Sequence, residues 1–265
     1  MDEDWTSRSD PVGLPEEILR AAAFLTVLPI GADEGAKPDF RRAARAFPIV
    51  GALVGLAGGI VLLLGAALGL PPLAAALIGI GATIALTGAL HEDGLADTLD
   101  GFGGGRDVPS RLAIMRDSRI GSYGVLGLIG SVGLRVALLA AWLPQSPWQA
   151  AMALIAMEAV GRGAVVWLWA TLPPARADGL SAGLPGPTEE ARNAALVLAA
   201  IAGIVGGTLA AGVFAALVAL AAAALAVLAT GSWARSMIGG QTGDVLGAGE
   251  QLTALAFLLA LAAFS

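Results

Sequence analysis

Apolar residues run through this chain in long blocks, and the polar residues gather between them. The first block, Phe47 to Leu70, is closed by Pro71-Pro72. A second continues to about Leu90, a third covers about 121–143 ahead of Pro144, and a fourth covers about 147–170 ahead of Pro173-Pro174. Residues 194–233 are too many for one crossing and divide near Gly212. A last block runs from Gly243 to Phe264. An apolar run of about twenty residues crosses a bilayer as one helix. The pattern therefore predicts seven spans and an all-α, polytopic helical integral membrane protein. Glu16 to Ile30 is too short to span and predicts a short interfacial or re-entrant helix. The acidic start, Met1-Asp2-Glu3-Asp4-Trp5, lacks the basic region of a signal peptide. Residues 1–15 read as a disordered tail, and 16–265 as one membrane-embedded domain.

Composition agrees with this pattern. Apolar residues make up 57% and charged residues 14% of the 265, with a mean hydropathy of +0.79; soluble domains carry about 25% charged residues. The 37 glycines and many alanines allow close helix approach. No cysteine is present, which excludes disulfides and thiolate metal sites. The net charge of −6 says little about partners; a lipid bilayer is expected and nucleic acid is not.

The basic residues carry more information. Lys37, Arg41, Arg42 and Arg45 precede span one, and Arg106, Arg111, Arg116 and Arg119 lie between spans two and three. Arg176 and Arg192 lie between spans four and five, and Arg235 between six and seven. Seven spans put all of them on one side, whereas the breaks at 71, 144–146 and 212 carry none. Such asymmetry predicts that the charged loops face the cytoplasm.

Candidate chemistry falls on that side. His91-Glu92-Asp93-Gly94-Leu95-Ala96-Asp97-Thr98-Leu99-Asp100-Gly101 places four carboxylates in nine residues at the end of span two. On a helix, Asp93, Asp97 and Asp100 fall at i, i+4 and i+7 on one face. Three anions on one face repel unless a cation neutralises them. Oxygen ligands suit a hard ion such as Mg²⁺. A solvated loop or acidic helix start is the plainer reading. His91, the single histidine, cannot build a zinc site; it serves either as a helix-end hydrogen-bonding residue or as a general acid or base.

Three further segments add to the picture. Gly101-Phe102-Gly103-Gly104-Gly105-Arg106 is a flexible loop or a backbone approach to phosphate. Ser110 to Arg119 predicts a short amphipathic helix. Its Arg116 and Arg119 would bind lipid headgroups or a diphosphate, with Asp117 as a metal ligand or an orienter of the arginines. Gly239-Gly240-Gln241-Thr242-Gly243-Asp244 opens the last span. Thr242 is a candidate N-cap, and the turn is also a candidate anion site with Asp244 facing a metal. Inside the spans, Glu158 and Arg162 at i, i+4 either neutralise each other or reach a cytoplasmic cavity, while Arg135 needs a partner.

These residues resemble the cobalamin synthase (adenosylcobinamide-GDP ribazoletransferase) family. The resemblance rests on the 91–101 motif, on Met115-Arg116-Asp117-Ser118-Arg119-Ile120-Gly121 and on Gly239 to Asp244. Phe24-Leu25-Thr26-Val27-Leu28-Pro29 and Phe47-Pro48-Ile49-Val50-Gly51 add to it. It implies a Mg²⁺-dependent enzyme of the bacterial or archaeal inner membrane, with its active site facing the cytoplasm. Adenosylcobinamide-GDP and α-ribazole, or α-ribazole 5′-phosphate, would give adenosylcobalamin, or its 5′-phosphate, and GMP. Mg²⁺ would sit on Asp93, Asp97 and Asp100. Arg116, Asp117, Arg119, Arg162, Gln241, Thr242 and Asp244 would bind substrate, and Glu92, Asp97 or His91 would take the hydroxyl proton.

Two rivals remain at this point. A CDP-alcohol phosphotransferase also uses spaced aspartates on membrane helices, but its pattern follows an Ala-Arg step where this chain has Ala96-Asp97. A transporter would want charges through several spans, whereas here they cluster at one surface.

Overall fold

A computed structural model describes residues 13–30, 40–176 and 184–264. Residues 1–12 of the tail expected at 1–15, and Lys37, lie outside the described residues. The described chain is helical, with a single isolated bridge between Pro174 and Gln241. α1 covers Leu14–Leu25, two residues earlier than the domain start expected at 16. α2 (Phe40–Ala43) and a 3₁₀ turn lead into α3 (Phe47–Ala67). Then come α4 (Pro72–Thr87), α5 (Leu90–Gly104), α6 (Val108–Ile114), α7 (Ser122–Trp142) and α8 (Pro147–Thr171). α9 (Glu189–Ala211), α10 (Val213–Ile238) and α11 (Gly243–Ala262) complete it.

The chain is a multi-pass membrane protein. Six helices among the described residues are long and apolar enough to cross a bilayer, or seven if α4 and α5, bent by 89°, count together as one broken span. The breaks fall where the sequence puts them. Pro71-Pro72 opens α4, Ser146 caps α8 ahead of Pro147, and Gly212, at φ +92°, separates α9 from α10.

Span two departs from expectation. α4 has only 16 residues, about 24 Å of helix. Thr87 is followed by two left-handed residues, Gly88 (φ +62°) and Ala89 (φ +59°). Ala89 N donates to Ile84 O at 2.9 Å and Gly88 N to Ala85 O at 3.3 Å, a Schellman closure. α5 leaves at 89° to α4. The acidic motif is therefore a separate helix set crosswise to the span, rather than the tail of a straight one. Val27 N of the segment after α1 donates to Leu86 O at 2.9 Å, which ties the N-terminal helix to this corner.

α8 is the hub: 89% of its apolar window is buried, against 28–44% for α3, α7, α9 and α10. Gly51, Gly55 and Gly59 of α3 lie along it at i, i+4, i+8; a Cβ on Gly55 would stand 2.7 Å from Ile155 Cα. α11 is the second enclosed helix, at 67%.

One end of the bundle gathers the charged loops. Gln241 N donates to Pro173 O and Ala175 N to Gln241 O, both at 2.8 Å. Thr188 N donates to Arg41 O at 2.9 Å, Arg235 to Thr171 O at 3.0 Å and Arg111 to Met237 O at 2.8 Å. These bonds join the segment before α3, α6 and the segments around α8–α11 at one end, as the arginine distribution predicts.

Candidate active site

α5 distributes its acidic residues over three surroundings. Asp93 is exposed and Asp97 half-buried, and both lie on the side that meets the start of α11. The two helices touch through glycines. A Cβ on Gly94 would stand 2.8 Å from Asp244 O and 3.1 Å from Gly247 Cα, so only a bare Cα allows this approach. Asp97 thereby feels the charges of Asp93, Asp244 and Asp100, with Arg176 as the opposing cation. Arg176 reaches Asp244 Oδ2 at 3.5 Å, and Thr242 Oγ1 donates to the same oxygen at 3.1 Å. Thr242 also caps α11 by accepting from Val245 N at 3.3 Å, as expected.

Asp93, Arg176 and Asp244 border a cavity of about 260 Å³ between α1, α5, α8 and α11, whereas Asp97 and Thr242 do not line it. Its polar lining includes His91, Asp93, Arg176 and Asp244. His91 is 3% exposed, and its Nδ1 has no protein partner. Gln241 is buried, does not line the cavity, and has its backbone in the bridge to Pro174.

Other residues singled out from the sequence fall elsewhere. Asp100 is buried, and both its oxygens accept backbone N–H groups: Gly121 N at 2.7 Å and Gly124 N at 2.9 Å. It caps α7 from a neighbouring helix. Asp93, Asp97 and Asp100 share a helix face, but their surroundings differ because α5 crosses α11 at one end and meets α7 at the other. Among the described residues no three His, Cys, Asp or Glu are gathered into a metal cage.

Glu92 points away from the cavity. It accepts from Arg135 at 3.1 Å and from Gln251 at 3.0 Å inside the bundle, which gives Arg135 the partner it needs. Arg162 is enclosed too, paired with Glu158 and, at 2.6 Å, with Glu250. Its charge is spent on those two carboxylates, so it does not reach the cavity expected for it.

The Gly-rich run and the basic helix are also revised. Gly101 to Gly104 finish α5, where Gly101 packs against Met115 and Gly103 against Tyr123. They form no loop. The expected helix over 110–119 is α6, which starts at Val108 because Asp107 and Ser110 form a capping box, and which ends at Ile114. Arg119 therefore lies beyond the helix and pairs with Asp117 at 2.7 Å. Arg119's hydrogen bonds and charge lower the Asp117 carboxyl to about 2. Arg116 is exposed, and none of these three residues lines the cavity.

Arg176 is the functional candidate that sequence reasoning missed. The signal was available: an arginine just after Pro173-Pro174, in a charged loop.

The cobalamin-5-phosphate synthase family model matches residues 17–262, which takes in every element that builds the cavity. The chain belongs to this family. It is 48% identical over 246 residues to the adenosylcobinamide-GDP ribazoletransferase of Azorhizobium caulinodans, covering 90% of this chain and 92% of that one. The protein of that name from Bradyrhizobium diazoefficiens is 48% identical over 245 residues, 92% of each chain. The one from Sinorhizobium medicae is 44% identical over 258 residues, 93% of this chain and 96% of its own. No solved structure matches the chain.

Proposed function

We propose that this chain performs the ribazole transfer for which its relatives are named. A ribose hydroxyl of α-ribazole, or of its 5′-phosphate, attacks the cobinamide-side phosphorus of adenosylcobinamide-GDP. A new P–O bond forms, the bond to GMP breaks, and adenosylcobalamin, or its 5′-phosphate, and GMP result. The observation that carries the reading is the match along almost the whole chain to relatives of one name. An aspartate-lined cavity at the charged end of the bundle suits it chemically. Phosphoryl transfer asks mainly for positioning and charge neutralisation.

Arg176 neutralises phosphate charge at the cavity wall, and Asp244 and Thr242 hold it in place. His91 takes the hydroxyl proton. It lines the cavity with an unpaired Nδ1, whereas Glu92 is held by Arg135 and Gln251. The apolar lining limits water, which would otherwise compete as acceptor.

Magnesium fits the donors present. Mg²⁺ is commonly held by one or two carboxylates plus substrate phosphates rather than by an all-protein cage. Asp93, Asp97 and Asp244 supply hard oxygens, with one opposing arginine. Those carboxylates would hold the ion, which would supply positive charge against the phosphates and the leaving group. We place the protein in the inner membrane with the charged end in the cytoplasm, and 14–264 as one catalytic domain. The loop arginines support that orientation.

The test is GMP release from adenosylcobinamide-GDP by the detergent-purified protein. Release should require both α-ribazole and Mg²⁺. Turnover of a CDP-alcohol instead, or no release with all components present, overturns the reading.

A further inference from the structure

The cavity has two unlike halves. The polar half is made by His91 and Asp93 of α5, Arg176 after α8 and Asp244 of α11. The other half is built by Phe24, Leu25, Val165, Trp169, Leu184 and Leu246; the Trp169 indole N–H is its single side-chain hydrogen-bonding group, a donor with no side-chain acceptor beside it. Two buried rings stand behind it. Phe40 lies 4.7 Å from Phe24 and 6.3 Å from Trp169, and Phe47 lies 5.9 Å from Phe24 and 6.4 Å from Trp169. Phe40 and Phe47 are 2% and 0% exposed, so the two lining rings are fixed from behind.

Size and polarity narrow the occupant. Pockets for drug-sized ligands enclose about 300–1,000 Å³, and this one, at about 260 Å³, admits one bicyclic ring with a sugar rather than a corrinoid. Both substrates carry a flat base. Guanine has hydrogen-bonding groups on three edges, and an apolar wall would leave them unmet. The base of α-ribazole, a dimethylbenzimidazole, has an apolar methylated edge.

We propose that the apolar half of the cavity is the seat of the acceptor's benzimidazole, with Phe24 and Trp169 as stacking walls. This assignment rests on the ribazole transfer proposed above. The attached ribose then extends toward His91, Asp93 and Asp244, where its hydroxyl is needed. The corrinoid stays outside and presents only its diphosphate to Arg176.

The test separates the two substrates. Base–aromatic stacking is large enough that Phe24→Ala should raise the KM for α-ribazole about tenfold, leaving that for adenosylcobinamide-GDP within twofold. Phe24→Trp, which keeps a flat wall, should restore it. Free dimethylbenzimidazole should compete with α-ribazole, and guanosine should not. Val165→Phe, which fills the seat from α8, gives a second measure with the same expected split. A rise confined to the KM for adenosylcobinamide-GDP, or competition by guanosine against it that Phe24→Ala abolishes, would assign the seat to guanine and overturn the proposal. So would unchanged KM values in both variants. If the wild-type protein releases no GMP, the transfer reading fails by itself. Equilibrium dialysis of dimethylbenzimidazole against wild-type and Phe24→Ala protein still decides the seat: binding lost in the variant upholds it, and equal binding or none overturns it.

Discussion

Arg135 of α7 donates to Glu92 of α5 at 3.1 Å, and both side chains are almost wholly enclosed by the bundle. Gln251 of α11 shares the same Glu92 oxygen and also donates to Glu250 at 2.8 Å. The site helix is thus moored from behind by a buried charge. Removing one partner of a buried pair leaves an uncompensated charge and costs about 3–5 kcal/mol. Arg135→Met should lower the unfolding temperature in detergent sharply. The double variant Arg135→Met with Glu92→Gln should recover most of the loss. A single variant as stable as wild type would remove the mooring role.

Asp100 acts as a cap supplied in trans, holding Gly121 N and Gly124 N at the head of α7. Asp100→Ala should cost about 0.5–2 kcal/mol, read as a drop in unfolding temperature. Asp100→Asn, which keeps one acceptor, should lose less. Equal stability of the Ala variant and wild type would return Asp100 to the metal-ligand reading.

Gly94 and Gly247 set the distance between α5 and α11. A Cβ on Gly94 would press on the Asp244 backbone, which cannot yield as a side-chain tip can. Gly94→Ala should therefore reduce GMP release by an order of magnitude or more by parting Asp93 from Asp244. Full activity in this variant would show that the carboxylates need no such closeness.

Asp97→Asn keeps shape and size while removing a charge from the Asp93–Asp244 group. The expected outcome is loss of GMP release with unchanged elution from a sizing column. The half-saturating Mg²⁺ concentration of any residual activity should rise. Near-normal turnover would take Asp97 out of the site.

Much of the fold is legible from hydropathy alone because a bilayer imposes its thickness on every crossing. Pro71-Pro72, Pro147 and Gly212 mark breaks that the structure keeps. The corner at Gly88-Ala89 is not legible. A left-handed alanine has no sequence signature, and the apolar run simply continues into Leu90. The site is legible in part. Periodicity places Asp93 and Asp97 on one face, but it cannot say which neighbours that face meets. Asp100 shares the face and still ends as a cap, since α7 begins beside it. Arg162 and Glu92 read as candidates for the same reason: a lone sequence gives i, i+4 partners but not Glu250 or Arg135, which arrive from other helices.

The cavity draws its walls from Phe24 at one extreme of the chain and Gly247 at the other. During synthesis the ribosome delivers α1, α5 and α8 long before α11. A nascent chain already threaded into the bilayer up to α10 holds Asp93 and Asp97 without Asp244, and Gly94 without the glycine it leans on. The site is therefore completed only when α11 inserts, and a chain stalled ahead of Thr242 would lack Asp244 and one wall of the cavity.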